Sequence, residues 1–123
     1  MKKFITFSFG LALFLSLAIF ANAQKANPFQ DYKLNSKLMS REMPYRVILP
    51  SNYNPKDQKT TYPVLYLLHG LTGHFDNWQS KTKINEFSRN YNFIIVMPEG
   101  NDGWYSDSIS NPNDKYESYI MQE

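Results

Sequence analysis

The sequence predicts an α/β fold, a mostly parallel sheet with an antiparallel hairpin on its N-terminal side, and three observations carry that prediction. Val64-Leu65-Tyr66-Leu67-Leu68 and Phe93-Ile94-Ile95-Val96-Met97 are short, apolar on both faces and bounded by proline or glycine, the pattern of strands buried from both sides. Between them Trp78, Ile84, Phe87 and Tyr91 share an approximate helical face with polar residues between. Strand, helix and strand make a βαβ unit with a right-handed crossover. Upstream, Lys33 to Met39 and Met43 to Leu49 alternate on either side of Ser40-Arg41-Glu42, which is a hairpin signal.

Taken in order, the chain opens with Lys2 and Lys3 ahead of an apolar run from Phe4 to Phe20 that ends in Ala21-Asn22-Ala23, the small-x-small pattern of a secretory cleavage site. Residues 1–23 are therefore expected to be a signal peptide cleaved after Ala23, leaving 24–123 as one domain of a secreted or periplasmic protein. The alternative is an uncleaved anchor. Its apolar core of about 17 residues is at the short limit for a membrane span, and no stop-transfer pattern follows. No stable anchor is expected after cleavage. Gln24 to Gln30 reads as an irregular lead-in. In the second hairpin strand Tyr45, Val47 and Leu49 fall on one face and Arg46 and Ile48 on the other. Pro50 closes it, and Ser51 to Tyr62 is a polar loop with Asn52, Asn54, Pro55 and Asp57 as turn formers. Glu99 to Asp114 is a long loop, and Lys115 to Glu123 looks like the start of a helix.

Charge and cysteine content narrow the function classes. The 123 residues carry 13 Lys+Arg against 11 Asp+Glu; the leader holds two of the lysines and no acid, so the mature part balances. A nucleic-acid or anionic-membrane binder needs a cationic surplus, and no basic cluster follows the leader to supply one. With no cysteine there is no disulfide framework, thiolate zinc site or lipoprotein anchor. Stability must come from packing, and about 100 residues can bury only a modest fraction of their surface.

In an open parallel sheet the ligand crevice lies beyond the carboxyl ends of the strands, and two loops leave such ends. The first is His69-Gly70-Leu71-Thr72-Gly73-His74. Gly70 and Gly73 permit backbone conformations in which N–H groups turn outward, which suits an oxyanion. An ordinary βα turn that uses glycine explains the same residues. The second is Met97-Pro98-Glu99-Gly100-Asn101-Asp102-Gly103-Trp104-Tyr105. Trp104 and Tyr105 can line a pocket or stack on an aromatic or sugar ring, or they can cover the sheet edge as core aromatics. His69 is expected to fix its loop through hydrogen bonds. Glu99, Asp102 and Asp107 read as loop-solvating carboxylates. His69, His74 and Asp76 do not make a convincing metal cluster, so no metal or cofactor is expected. Glu117 and Glu123 receive no chemistry. None of the five glycines, Gly10, Gly70, Gly73, Gly100 and Gly103, brackets a serine as a G-x-S-x-G nucleophile elbow would.

The ordered set Met43-Pro44-Tyr45-Arg46-Val47 with Leu49-Pro50, Tyr62-Pro63-Val64-Leu65-Tyr66-Leu67-Leu68-His69-Gly70, Asp76-Asn77-Trp78 and Val96-Met97-Pro98-Glu99-Gly100 with Trp104-Tyr105 resembles one family. It is the esterase family that groups feruloyl and acetyl-xylan esterases, S-formylglutathione hydrolases and mycolyltransferases of the antigen 85 type. The similarity runs from about Lys33 to Glu123. It implies the N-terminal part of an α/β-hydrolase whose serine, aspartate and histidine work through an acyl-enzyme and lie downstream of these residues. Of that machinery only the oxyanion loop carries over: the Leu71 N–H as one donor, with Gly70, Thr72, Trp104 and Tyr105 bordering the substrate. The implied function is an exported serine carboxylic-ester hydrolase, acting on a small-molecule or polysaccharide-linked ester, with this chain expected to end before the nucleophile. Alternatives are an acyltransferase that hands the acyl group to a sugar hydroxyl, or a non-catalytic carbohydrate-binding remnant.

Overall fold

A computed structural model describes residues 29–123. The expected signal peptide, the expected cleavage after Ala23 and most of the expected lead-in fall outside the described residues. Among the described residues four strands form one sheet in the order β1-β2-β4-β3: β1 Phe29–Ser36, β2 Arg41–Ile48, β3 Val64–Tyr66 and β4 Ile94–Pro98. The hairpin forms as expected, but β1 begins inside the expected lead-in and stays paired along its whole length, from Phe29 opposite Ile48 to Ser36 opposite Arg41. The turn is Lys37 to Ser40, beginning three residues before the expected Ser40-Arg41-Glu42. Ser40 takes the left-handed conformation (φ 51°), and the Glu123 carboxylate accepts from Ser36 Oγ and from the Lys37 N–H at 3.0 Å. A contact from the far end of the chain thus shapes the turn, which local alternation does not reveal.

The sheet of the described residues is mixed. β2 pairs antiparallel with β4, Val47 opposite Val96 and Ile48 opposite Ile95, and β3 runs parallel to β4 through Leu65 and Ile95. The βαβ unit is therefore present, with one parallel pairing. Its first strand is not buried from both sides: Val64, Leu65 and Tyr66 are 51%, 41% and 53% exposed. The cause is position, because β3 is the sheet edge here and nothing among the described residues covers its free side. Between β3 and β4 the expected single helix is two short ones, α1 Asn77–Lys81 and α2 Ile84–Phe87, followed by a 3-10 turn at Ser88–Asn90. Thr82, extended at φ −137°, breaks the helix, and its hydroxyl donates back to the Trp78 carbonyl. Last comes α3, Tyr116–Gln122.

Alternation in β2 places two small cores on opposite faces of the sheet. Ile48, Ile95 and Met97 pack with Ile84 and Phe93 on the α1/α2 face, and Met39, Met43, Tyr116 and Tyr119 pack with Leu34 and Ile120 on the α3 face. Helices on both faces of the sheet make the layered α/β architecture. Because β3 and β4 are parallel, their carboxyl ends release both loops at one end of the sheet.

Candidate oxyanion loop and its clefts

The two loops meet, and the meeting is organised around His69, which is buried. The Tyr105 hydroxyl accepts from the His69 N–H at 2.9 Å and donates to the His69 carbonyl at 3.3 Å, clasping that residue's backbone from both sides. The imidazole works in the same way. Gly100 N–H donates to His69 Nε2 at 2.9 Å, so Nε2 must accept, and Nδ1–H is left to donate to the Gly70 carbonyl at 2.9 Å. This pattern belongs to the neutral ring, so the 3.3 Å approach of Glu99 Oε1 to Nε2 is not an ion pair. The role expected for His69, holding its loop, is the one its bonds describe.

The Gly70 carbonyl also accepts from Gly73 N–H at 2.9 Å. In a trans peptide the carbonyl and the following N–H point in opposite directions, so two bonds on Gly70 O aim the Leu71 N–H away from the loop's interior. Neighbouring donors are consumed: Thr72 N–H by Asp102 Oδ1 at 2.9 Å and Phe75 N–H by Glu99 Oε2 at 3.3 Å. The Gly70 and Leu71 N–H groups make no hydrogen bond among the described residues.

Left-handed backbone concentrates here, though not at the glycines. No described glycine has positive φ; Thr72 (58°), Asn101 (40°), Trp104 (55°) and Tyr105 (52°) do. Such conformations cost about 1–3 kcal/mol each and persist where surrounding contacts enforce them. The glycines serve close approach instead. A Cβ on Gly73 would lie 2.6 Å from Asn77 Nδ2 and 2.8 Å from Gly70 O, and one on Gly100 would strike the Tyr105 ring, whereas Gly70 has open space.

Gly70 and Leu71 form a strap between two clefts. On one side is a cleft of about 130 Å³ lined by His69, Asn101, Asp102, Trp104 and Tyr105 as well as the strap. On the other is one of about 290 Å³ lined by Asn77, Trp78, Lys81 and Thr82 with the same strap. Leu71 is 60% and Trp104 76% exposed, so Trp104 is not a core aromatic. Tyr105 is half-buried, its ring edge-on to His69 at 5.4 Å. Burial pushes its hydroxyl up to about 12, partly offset by the bond from the His69 N–H, with the Glu99 charge adding to the rise. The structure thus brings Gly70, Leu71, Trp104 and Tyr105 to one cleft, while Thr72 takes part through its backbone bond to Asp102.

Three expected solvating carboxylates do more than meet water. Glu99 is buried and also accepts from Asn101 N–H at 2.7 Å, with His74 Nδ1 at 3.3 Å. Asp102 ties the strap, and Asp107 accepts from Ser118 N–H at 3.0 Å at the start of α3. A signal for Glu99 existed in its position directly after a buried strand, where a carboxylate has little access to water. Asp102 had none, since its bond joins residues 30 apart.

A family model described as "Putative esterase" matches residues 36–123. An acetyl esterase of Caldicellulosiruptor saccharolyticus is 32% identical over 77 residues, covering 58% of this chain and 29% of the relative. Among solved structures, a ferulic acid esterase superposes with TM-score 0.66 at 24% identity over 80% of this chain and 40% of the other. The serine hydrolase FphF of Staphylococcus aureus does so with TM-score 0.68 at 22% identity, over 80% of this chain and 39% of the other. The chain therefore spans less than half the length of these relatives, and its described residues have the fold of the corresponding part of an α/β-hydrolase. With the model covering most of the sequence, the chain belongs to this esterase family.

Proposed function

We propose that the chain is the oxyanion-binding part of an exported serine carboxylic-ester hydrolase, acting on feruloyl or acetyl esters carried by small molecules or plant polysaccharide. The observation that carries the reading is the exposed, unpartnered Leu71 N–H, aimed outward by the bonds on Gly70 O. Attack of a serine oxygen on an ester carbonyl moves negative charge onto the carbonyl oxygen. A preorganised N–H at that point is worth about 10²- to 10³-fold in rate. The alcohol leaves, and water then releases the acid from the acyl-enzyme. An ester held at the strap has two halves to accommodate, and a cleft lies on each side of Leu71. The relatives' names, acetyl esterase and ferulic acid esterase, support the substrate class. Export rests on the N-terminal pattern alone. On this reading the serine, acid and base stand outside these 123 residues, which contain no nucleophile elbow.

The test compares hydrolysis of p-nitrophenyl acetate and methyl ferulate by the chain from Gln24 with that by the product of the reading frame continued to its stop codon. Activity in the continued product alone, abolished by a serine-directed phosphonate, is the expected result. Activity in residues 24–123 themselves would put the nucleophile elsewhere than proposed. A folded but inert continued product would overturn the hydrolase reading in favour of binding.

A further inference from the structure

Gly70 to Gly73 is a β-turn closed by Gly73 N–H on Gly70 O at 2.9 Å, with Leu71 and Thr72 as its central residues. Thr72 has φ 58° and Leu71 does not have positive φ, the signature of a type II turn. That turn wants glycine at its second central position, and a β-branched residue there is a conformational outlier. Left to itself a Leu-Thr pair favours type I, which differs by a flip of the central peptide. In the structure the N–H of that peptide is held by Asp102 Oδ1 at 2.9 Å. Flipping it would place the Leu71 carbonyl against the Asp102 carboxylate, acceptor against acceptor.

We propose that Asp102 is a positioning residue that selects the type II form of the strap. Its carboxylate holds the Leu71–Thr72 peptide so that N–H, and not carbonyl, faces the Trp104 side. The inference rests on the proposed oxyanion role of Leu71. In the flipped form the Leu71 carbonyl turns toward the cleft that Leu71 and Asp102 both line, presenting a negative dipole to a developing oxyanion. Asp102 sits on the loop that also carries Trp104 and Tyr105, so the substrate-lining loop is the template for the donor loop.

The test uses three variants of the continued reading-frame product. Asp102→Ala should lower kcat about 10-fold, a part of what a full oxyanion donor supplies, with KM changed by less than about threefold. Asp102→Asn, which keeps an acceptor oxygen, should restore most of kcat. The discriminating variant is Asp102→Ala combined with Thr72→Gly: glycine favours the type II turn unaided, so kcat should recover without Asp102. A rise in KM alone, or no recovery with Thr72→Gly, would overturn the proposal, because a substrate contact or a general structural role is not rescued by turn chemistry. If even the parent protein hydrolyses no ester, the oxyanion reading fails, and amide hydrogen exchange on the 123-residue chain still decides the turn. Thr72 N–H should be protected in the parent and exposed in Asp102→Ala. Equal protection in both would overturn the inference.

Discussion

The Tyr105 hydroxyl is the residue-scale feature on which the meeting of the two loops most depends, since it serves both backbone groups of His69. Tyr105→Phe keeps the ring and strands the His69 N–H without an acceptor. It should cost about 1–3 kcal/mol, read as a lowered urea midpoint at constant m-value. The glycines give a second expectation. Gly100→Ala drives a methyl into the Tyr105 ring and should cost about 1–3 kcal/mol, whereas Gly70→Ala meets open space at ordinary φ and should change stability by less than about 0.5 kcal/mol. Similar losses for both in chemical denaturation would mean that the loops are not packed as described. The residue types of the site were legible in sequence; their division of labour was not. H-G-x-x-G suggested glycine freedom, but the strained position is Thr72, and only the fold puts Asp102 within reach of it.

At the scale of elements, Arg46 shows how the hairpin is fixed to the helical layer. It lies on the same face of β2 as Ile48 and is buried, with Nε and Nη2 on the two oxygens of Asp31 in β1 and Nη1 on Gln79 of α1 at 2.7 Å. The rings of Phe29 and Phe75 flank the guanidinium at 4.3 and 5.7 Å. Arg46→Leu leaves a half-exposed Asp31 alone and should cost about 1–3 kcal/mol. The Arg46 guanidinium holds the Asp31 carboxyl below its ordinary 3.8, against the opposing effect of burial. A depressed value stabilises the fold fully above 3.8, and the contribution is lost as pH falls through the lowered value. Acid melting curves should therefore show a steeper loss below about pH 4 in the parent than in Arg46→Leu; parallel curves would remove the pair from the account. Period-2 alternation put Arg46 and Ile48 on one face correctly. Period-3.6 alternation overreached at Trp78 to Tyr91, because it cannot see Thr82 turning extended. The apolar run Val64 to Leu68 predicts a doubly buried strand, but composition says what a strand can bury and not what stands beside it.

Across the whole molecule, one of the two thin cores, the one on the α3 face, is built partly from buried tyrosines, and this couples stability to alkaline pH. Tyr119 belongs to the α3-side core, and burial pushes its hydroxyl up to about 12 with the charges of Glu99, Tyr45 and Glu123 adding. Tyr105, in the loop cluster beyond the sheet, is pushed up to about 12 as well. Both values stand above the ordinary 10, so the unfolded chain releases these protons first. The stabilisation from keeping both hydroxyls protonated is full below pH 10 and declines as pH rises from there toward 12. Circular dichroism with tyrosinate absorbance, followed together from neutral pH upward, should show the fold intact to pH 10 and unfolding coupled to tyrosine ionisation above it. Exposed lysines also lose charge in that range, so the tyrosine contribution is isolated by Tyr119→Phe, which has no proton to lose. That variant should unfold at a higher pH than the parent relative to its own neutral stability. An unchanged alkaline midpoint would mean that Tyr119 ionises as an exposed phenol does, and that the α3-side core is open to water.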